Sequence, residues 1–340
     1  MNIGVIGYYG FGNFGDELFL KTLAQTFQED RIFPYSSFMD LSKIDAVIVG
    51  GGDLITPYHF NRAYFPPGPV TRLPTWVYGV GIVDYYPEHT WPIEQVNMYR
   101  DWIQNTKGLW VRDNWSAQIA RKYRFHPKVE VVPDIAFGYK QPKYPVRFSF
   151  DKPVIGVCVF AYESFPFQAM SALLTQLSMR GYHIALIPVV LNTLNKYADR
   201  ETCLKLQASI RTGNPRASVN VANPTYDLDM TYSYLQAVDY LISFKLHPSL
   251  VALRNGIPVL CLSKLGKVRS LLESFNLQKY MLSYEEPLQV MMEKTEMLLT
   301  SGKQDVAQVK PLIEYKERLG VSMLQALKQN IRSAVTANRK

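Results

Sequence analysis

Residues 2–17 read NIGVIGYYGFGNFGDE, and this stretch indicates the class of fold. An apolar run of strand length, residues 2–6, leads directly into a turn rich in glycine, and apolar residues between positions 20 and 27 then follow the spacing of an amphipathic helix. A strand, a glycine-rich turn and a helix in this order are typical of a βαβ unit. The glycines let the backbone approach a ligand beside the positive end of the helix.

The alternation of strand and helix continues along both halves of the chain. Alternation of this kind predicts parallel sheets that are covered by helices on both faces. We therefore expect an α/β fold of two doubly wound Rossmann-like domains that face each other across a cleft, the GT-B-like architecture. The candidate strands are residues 2–6, 31–35, 46–49, 75–78, 108–111 and 130–132 in the first half, and 154–159, 183–189, 218–221, 240–244 and 259–262 in the second.

The pattern divides the chain into three segments. Residues 1–145 are expected to form the N-terminal domain, which carries the glycine-rich turn, and residues 150–305 the C-terminal domain. Residues 139–153 are rich in proline and lysine and have no apolar period, so we interpret them as the linker. Residues 306–340 contain few helix breakers and are expected to form a terminal helix that packs back across the domain junction.

Composition and charge restrict the classes of function. With 340 residues, of which 47% are hydrophobic and 19% charged, the chain can form two packed cores. Lysine and arginine outnumber aspartate and glutamate by 37 to 29, which favours an anionic partner. The positive charges are scattered and no nucleic-acid-binding signature is present, so we expect no nucleic acid to bind. No apolar run approaches the roughly 20 residues of a membrane span, and the chain is interpreted as cytoplasmic.

Neither a disulfide nor a metal site is expected. Cys158, Cys203 and Cys261 are far apart in sequence and odd in number, which indicates buried, reduced thiols. No two histidines have the spacing of metal ligands, and no cysteine cluster accompanies them.

Small or charged residues follow successive candidate strands of the first half. GGGD at residues 50–53 and GVG at residues 79–81 come directly after two of these strands. Arg112 follows a third, and its planar fork suits a carboxylate or a phosphate; an ion pair with Asp113 or another neighbour is the structural alternative. Asp134 is interpreted as a turn or cap residue. Because the carboxyl ends of parallel strands share one edge of a sheet, we expect a binding surface there.

In the second half the most informative segment is SFKLHP, residues 243–248. Lys245 and His247 stand two positions apart at the end of a candidate strand, so we expect both side chains to point to the same side. A histidine there can act as a catalytic acid or base, and a hydrogen-bonded core histidine is the alternative. Lys264 and Lys267 open a helix after a further strand, where an anionic ligand would offset their repulsion from the helix dipole.

The glycines at positions 10, 12 and 15 formally match the G-x-G-x-x-G pattern of dinucleotide-binding proteins. That pattern also requires an acidic residue at the end of the second strand, where this chain has serine. The match is therefore weak evidence for NAD. A glycine-rich turn with Asp16 as the helix N-cap is the structural alternative.

In their order along the chain, these residues resemble the polysaccharide pyruvyl transferase family, whose bacterial cell-wall members add ketal-linked pyruvate to sugars. The family usually has Arg-Leu-His where this chain has Lys245-Leu246-His247. Lysine keeps the positive charge but loses the two-pronged fork of arginine. The resemblance is carried by GYYGFGNFGDELFL at residues 7–20, GGGD at 50–53, VRDNWSA at 111–117, PDIAF at 133–137 and KLHPSLVALRNGIPVLCLS at 245–263.

The resemblance implies that phosphoenolpyruvate is the donor, as a co-substrate, and that no bound cofactor or metal is needed. His247 would be the catalytic acid, and Arg112, Lys245 and Lys267 would bind the carboxylate and phosphate of the donor. Asp16 would position or deprotonate a hydroxyl of the acceptor, a saccharide that is either free or lipid-linked. The residues expected to hold this acceptor are Gly10, Gly12, Asn13, Gly15, Gly51, Gly52 and Asp53.

Two other functions stay open. Lys245 is compatible with a glycosyltransferase of the same architecture that uses a nucleotide sugar. A sugar-binding homologue that has lost catalysis is the third candidate. The positive charge balance would also suit contact with an anionic membrane at its inner face. The oligomeric state is not indicated by the sequence.

Overall fold

The computed structural model describes residues 1–36, 38–141, 148, 151–162, 164–191, 198–223 and 227–338. The chain forms two compact units. Unit 1 contains Met1–Tyr9, Asp16–Lys140 and Tyr315–Lys340, and unit 2 contains Gly10–Gly15 and Gln141–Glu314. The glycine-rich turn, which the sequence pattern places in the N-terminal domain, thus belongs to unit 2. The predicted linker, residues 139–153, lies mostly outside the described residues.

Unit 1 is built on a six-stranded parallel sheet. Its strands are β1 (Asn2–Ile6), β2 (Arg31–Pro34), β3 (Ala46–Ile55), β4 (Thr75–Ile82), β5 (Leu109–Val111) and β6 (Val129–Val131), in the spatial order β2-β1-β3-β4-β5-β6. Its helices are most of α1 (Phe14–Thr26), then α2 (Ile93–Ile103) and α3 (Asn114–Lys122).

Unit 2 is built on a second six-stranded parallel sheet. Its strands are β7 (Val154–Cys158), β8 (His183–Leu186), β9 (Val219–Val221), β10 (Tyr240–Ser243), β11 (Val259–Leu262) and β12 (Met281–Leu282), in the order β12-β11-β10-β7-β8-β9. The helices are α4 (Phe167–Met179), α5 (Asp199–Gly213), α6 (Leu228–Gln236), α7 (Leu246–Arg254), α8 (Gly266–Glu273) and α9 (Leu288–Asn338), which continues into unit 1 after Glu314.

Each sheet has a point where the direction of winding reverses. In unit 1 the chain goes from β1 to β2 on one side and to β3 on the other, and in unit 2 β7 lies between β8 and β10. Ligands of doubly wound sheets bind beyond the carboxyl ends of the strands at this point. Residues after β1, β3, β7 and β10 are therefore placed where a ligand is expected. The prediction of two doubly wound Rossmann-like domains is confirmed, while the cleft between them stays a prediction.

The glycines that the sequence suggested as ends of strands lie inside strands. β3 continues through residues 50–53 to Ile55, and β4 continues through residues 79–81 to Ile82. The expectation that these strands stop at the glycines was therefore wrong. Gly51 and Gly52 have φ angles of 77° and 82°, and the register of β3 against β4 shifts beyond Gly52. Glycine adopts these angles without strain, so the strand can kink and still continue.

Burial follows the position of each strand in its sheet. β7, β8, β10 and β11 are buried along their whole length, as expected for strands that helices cover on both faces. The edge strand β2 is mostly exposed. Cys158, Cys203 and Cys261 are buried and form no disulfide, as predicted. No helix in the described ranges combines the length and the apolar character that a membrane crossing requires.

We predict that Gly79→Ala strongly destabilises the protein. Gly79 has a φ of 68°, and a Cβ atom there would lie 2.6 Å from the side chain of Ile135. Backbone strain and a clash in the core together should cost about 3 kcal/mol of unfolding free energy, measured by urea denaturation. Gly256→Ala is the control, since Gly256 has a φ of 72° with nothing within 4 Å of the added atom, and it should cost about 1 kcal/mol. Equal losses in both variants would contradict this account.

Candidate functional site

The glycine-rich turn is held by backbone hydrogen bonds inside unit 2. The N–H of Phe14 donates to the carbonyl of Val189 at 2.9 Å, and the N–H of Leu191 donates to the carbonyl of Gly12 at 2.9 Å. Gly12 has a φ of 66°, in the left-handed region that favours glycine. The turn therefore lies as a short antiparallel segment against residues 189–191, beyond the carboxyl end of β8.

Gly15 lies directly against the imidazole of His247. A Cβ atom built on Gly15 would lie only 1.9 Å from Nδ1 of His247, so no other residue fits at this position without moving the ring. Asn13, which forms an isolated bridge with Val190, accepts a hydrogen bond from the N–H of Gly15 at 3.1 Å. Asn13, and not Asp16, thus caps the start of α1. Gly15 therefore contacts both Asn13 and His247.

Lys245 and His247 lie at a junction between strand and helix, which corrects the expected alternation along a strand. β10 ends at Ser243, Lys245 is the N-cap of α7, and His247 lies in the first turn of that helix. Two hydrogen bonds between Ser243 and the backbone of Lys245 form the turn. Pro248 also favours the first turn of a helix, because its missing N–H is not needed there. Helical geometry replaces strand alternation after Ser243, so the period of two residues does not apply to Lys245 and His247.

The side chain of Lys245 forms an ion pair with Asp199. Its Nζ lies 2.9 Å from both carboxylate oxygens of Asp199, whose side chain is fully buried. Oδ2 of Asp199 also accepts the N–H groups of Val189 and Val190, at 3.0 and 2.8 Å. Burial raises the pKa of Asp199, although the charge of Lys245 and these hydrogen bonds act in the opposite direction. We call Gly15, His247, Lys245 and Asp199 the imidazole–lysine site.

Lys267 lies in the first turn of α8, which follows β11, the neighbour of β10 in the sheet. It is partly exposed. Lys264, one turn earlier, pairs with Glu285, and both of these side chains are exposed. Lys264 therefore has a surface ion pair, and Lys267 lies one position into the helix that follows β11.

In unit 1, Asp16 lies against the kink of β3. A Cβ atom on Gly52 would lie 3.0 Å from Oδ1 of Asp16, so the kink gives this carboxylate its space. Tyr9 donates its hydroxyl hydrogen to the carbonyl of Gly50 and so ties the end of β1 to β3. Burial, and secondly the charge of Asp16, raise the pKa of Tyr8.

Arg112 is engaged by carboxylates. Its guanidinium pairs with Asp53 and is 5% exposed, and its Nε lies 3.8 Å from Asp113. Gly81 makes room for the pair, because a Cβ atom there would lie 2.7 Å from both partners. Burial acts to lower the pKa of Arg112, but neighbouring negative charges outweigh it and raise the pKa. These charges belong to Asp53, Asp134, Asp113 and Asp16, and we call the five residues the aspartate–arginine cluster.

Two of the aspartates in the aspartate–arginine cluster also cap helices. Asp113 caps α3 by accepting the N–H of Ser116 at 2.7 Å. Asp134 caps a short 3₁₀ helix, as predicted, by accepting the N–H of Ala136 at 2.9 Å. Among the described residues, the buried side-chain atoms that lack a hydrogen-bond partner are Oδ2 of Asp134 and Nε2 of His247. No group of three His, Cys, Asp or Glu side chains in the described ranges is arranged to hold a metal ion.

The predicted acceptor residues are divided between the two units. Gly10, Gly12, Asn13 and Gly15 belong to unit 2, whereas Gly51, Gly52 and Asp53 belong to unit 1 with Asp16. The donor cations are divided too, since Arg112 lies in unit 1 and Lys245 and Lys267 lie in unit 2. The roles assigned to these residues stay predictions. Sequence reasoning missed Asp199, which lies 46 positions before Lys245 in no recognisable motif.

The chain belongs to the polysaccharide pyruvyl transferase family. The model of that family matches residues 13–264, which cover most of the chain and include all four residues of the imidazole–lysine site. The protein is therefore a transferase of this family. No curated protein sequence matches the chain significantly.

Solved structures with the same fold come from glycosyltransferases and sugar epimerases. A glycosyltransferase from Rickettsia africae has a TM-score of 0.62 at 10% identity, with 99% of this chain and 98% of that chain covered. UDP-GlcNAc 2-epimerase from Neisseria meningitidis bound to UDP-GlcNAc has a TM-score of 0.58 at 11% identity, with 98% and 100% covered. Anabaena HepE in complex with UDP and glucose has a TM-score of 0.57 at 11% identity, with 98% and 100% covered. At these identities the likeness shows a GT-B-like fold.

We predict that Asp199→Asn destabilises the protein by about 3 kcal/mol, because it breaks an ion pair whose carboxylate is fully buried and leaves the partly buried Lys245 without its counter-charge. Urea denaturation measures the loss. The control is a double-mutant cycle with Lys245→Met, in which the double variant should lose less than the sum of the two single variants. Additive losses would show that the two side chains do not interact.

Proposed function

We propose that the protein transfers the enolpyruvyl unit of phosphoenolpyruvate to a saccharide and closes it into a pyruvate ketal. The observation that carries this proposal is the contact between Gly15 and His247 at the switch point of unit 2, in a chain of the polysaccharide pyruvyl transferase family. The contact holds an imidazole in one orientation at the edge of the sheet where ligands of doubly wound domains bind.

His247 acts as the general acid. Its imidazolium gives a proton to the methylene carbon of phosphoenolpyruvate, which makes the adjacent C2 electrophilic. A hydroxyl oxygen of the saccharide forms a bond to C2 and loses its proton to a base. The bond between C2 and the phosphate oxygen then breaks, inorganic phosphate leaves, and a second hydroxyl of the same sugar attacks C2 and loses its proton. The products are one cyclic ketal with a methyl and a carboxylate group, and one phosphate.

Lys245 and Lys267 are the proposed partners of the donor's negative charges. Both follow neighbouring strands of unit 2 on the carboxyl edge of the sheet. Asp199 holds the amine of Lys245 in place, and preorganised charge stabilises a transition state without the cost of reorganisation. Arg112 keeps its proposed donor role only if the donor replaces Asp53 at the guanidinium, because the two are paired in the structure.

Asp16 and Asp53 are the proposed contacts of the acceptor. Asp16 acts as the base or positions the attacking hydroxyl, and Gly52 gives the carboxylate space. These two carboxylates should bind an uncharged saccharide better than an anion, because sugar hydroxyls donate hydrogen bonds to carboxylates. The acceptor is either a free saccharide or a lipid-linked one. If the acceptor is lipid-linked, the positive net charge of the chain would favour binding to the surface of an anionic membrane.

The reaction is tested by phosphate release from phosphoenolpyruvate in the presence of saccharides. In D₂O, proton transfer to the methylene carbon should leave one deuterium in the methyl group of the product, which mass spectrometry detects. His247→Ala should lower kcat by at least about 100-fold, because it removes the acid. His247→Gln, which keeps a polar side chain under Gly15, should lose as much activity, and urea denaturation of both variants checks that misfolding is not the cause.

His89→Ala is the matched control, because His89 is exposed on a short 3₁₀ helix of unit 1, and it should keep the activity of the unchanged protein. Phosphate release that persists in both His247 variants would show that His247 is not the general acid. A product without deuterium would show that the methylene carbon is not protonated in the reaction.

A glycosyltransferase that uses a nucleotide sugar is the second candidate. It is favoured by the ion pair of Lys245, since a lysine already neutralised by Asp199 is a weaker partner for an enol phosphate than a free arginine. Anabaena HepE, which shares the fold, was solved with UDP and glucose. A sugar-binding protein without transferase activity is the third candidate.

We predict that phosphoenolpyruvate stabilises the protein against heat and that UDP and UDP-glucose do not. A ligand at 100 times its dissociation constant should add about 2.7 kcal/mol to the unfolding free energy, which a thermal melt resolves. Lys267→Met should weaken the shift with phosphoenolpyruvate, and Lys264→Met, at a surface ion pair, should leave it unchanged. Stabilisation by UDP alone would favour the glycosyltransferase.

A further inference from the structure

Three tyrosines lie on the loops that follow β3 and β4 in unit 1. Tyr58 follows β3, and Tyr85 and Tyr86 follow β4. The rings of Tyr58 and Tyr86 meet edge to face, with centroids 4.8 Å apart and an interplanar angle of 86°. Tyr85 and Tyr86 are 54% and 56% exposed. Exposed aromatic rings on adjacent loops at the ligand-binding edge of a sheet offer faces to a ligand.

The loop that carries Tyr58 is fixed by the buried hydroxyl of Tyr99. This hydroxyl accepts the N–H groups of Thr56 and Asn61, at 3.2 and 3.0 Å, and donates to the carbonyl of His59 at 3.0 Å. Tyr58 itself packs against the core of unit 1. The ring is therefore held in place before any ligand arrives, which lowers the entropy cost of binding.

The loop that carries Tyr86 is fixed by Trp91. The indole N–H of Trp91 donates to the backbone carbonyl of Tyr86 at 3.0 Å. Trp91 is buried and packs edge to face against Trp115, with centroids 6.3 Å apart. A residue on the surface thus takes its position from a buried indole that packs against a partly buried one, which is what a prepared binding surface requires.

Asp53 places negative charge beside the tyrosines. Burial, and then the charges of Tyr85, Tyr86 and Asp53, raise the pKa of the Tyr58 hydroxyl to about 12. Tyr58 is thus an uncharged donor at neutral pH. Aromatic faces attract the slightly positive C–H groups of a pyranose ring, and carboxylates accept its hydroxyl groups. Asp53 is paired with Arg112, but the four aspartates of the aspartate–arginine cluster outnumber its one arginine, and this net negative charge repels an anionic ligand. The combination therefore suits an uncharged saccharide.

We propose that Tyr58, Tyr85 and Tyr86 form a saccharide-binding platform that holds a sugar ring of the acceptor beside Asp53. The inference rests on the proposed function for the identity of the acceptor, and it adds the residues that recognise the ring. The exposed rings of Tyr85 and Tyr86 supply the faces on which the sugar ring stacks. Tyr58 packs against Tyr86 at a right angle and supports it, and Asp53 accepts the sugar's hydroxyl groups.

Binding is tested without any donor, on the full chain, by saturation-transfer NMR and titration. The probes are methyl β-D-glucopyranoside, methyl β-D-galactopyranoside and the disaccharides lactose and cellobiose. Tyr86→Ala should raise the dissociation constant of the best probe about tenfold, because it removes one stacking face. Tyr86→Phe keeps the face and should stay within about twofold of the unchanged protein.

Tyr315→Ala is the matched control, since Tyr315 is 53% exposed in unit 1 and lies outside the platform. It should leave affinity unchanged. Absence of binding by every probe to the unchanged protein overturns the platform, and so does equal affinity in Tyr86→Ala.

Two further results distinguish a failure of the platform from a failure of the proposed function. Saccharide binding without phosphate release from phosphoenolpyruvate would contradict the proposed function but not the platform. Turnover with an unchanged acceptor KM in Tyr86→Ala would contradict the platform but not the proposed function.

Discussion

The buried carboxylate of Asp199 connects every element of the imidazole–lysine site. It accepts the amine of Lys245 and the N–H groups of Val189 and Val190, and that segment in turn holds the glycine-rich turn by backbone hydrogen bonds. The turn ends at Gly15, against the ring of His247. A buried charge is stable only while its partners surround it, so the same interaction that neutralises Asp199 also fixes the position of the turn.

The two units carry opposite local charge at their expected ligand positions. Around Arg112 in unit 1, four carboxylates outnumber one guanidinium, whereas unit 2 presents Lys245, Lys267 and an imidazole with Asp199 as counter-charge. Because the local charges of the two units are opposite in sign, we expect the units to bind different kinds of ligand. A polyol that donates hydrogen bonds suits the aspartate–arginine cluster, and a doubly acidic donor suits the lysines.

The fold was predictable because its signal is local. Short apolar runs such as residues 154–158 and 259–262 predict buried parallel strands, since both faces of such strands are covered. The same reasoning failed at residues 50–53, where glycines signal a turn but the strand continues with positive φ angles. The prediction of strand alternation also failed at Lys245 and His247, because the chain changes from strand to helix after Ser243. A hydrogen bond from the side chain of Ser243 to the backbone of Lys245 stabilises this change, and the spacing of apolar residues gives no sign of it.

By itself the sequence determined the doubly wound class, the family motifs and the residue types that any chemistry would use, because these are properties of neighbours along the chain. Only the tertiary structure decided which charges neutralise each other. Asp199 and Lys245 are 46 positions apart, and Arg112 and Asp53 are 59 apart. Parallel strands bring such residues to one edge, and no local pattern encodes which carboxylate reaches which cation. The tyrosines beside Asp53 became a candidate surface for the same reason, since two loops meet only when their strands pair.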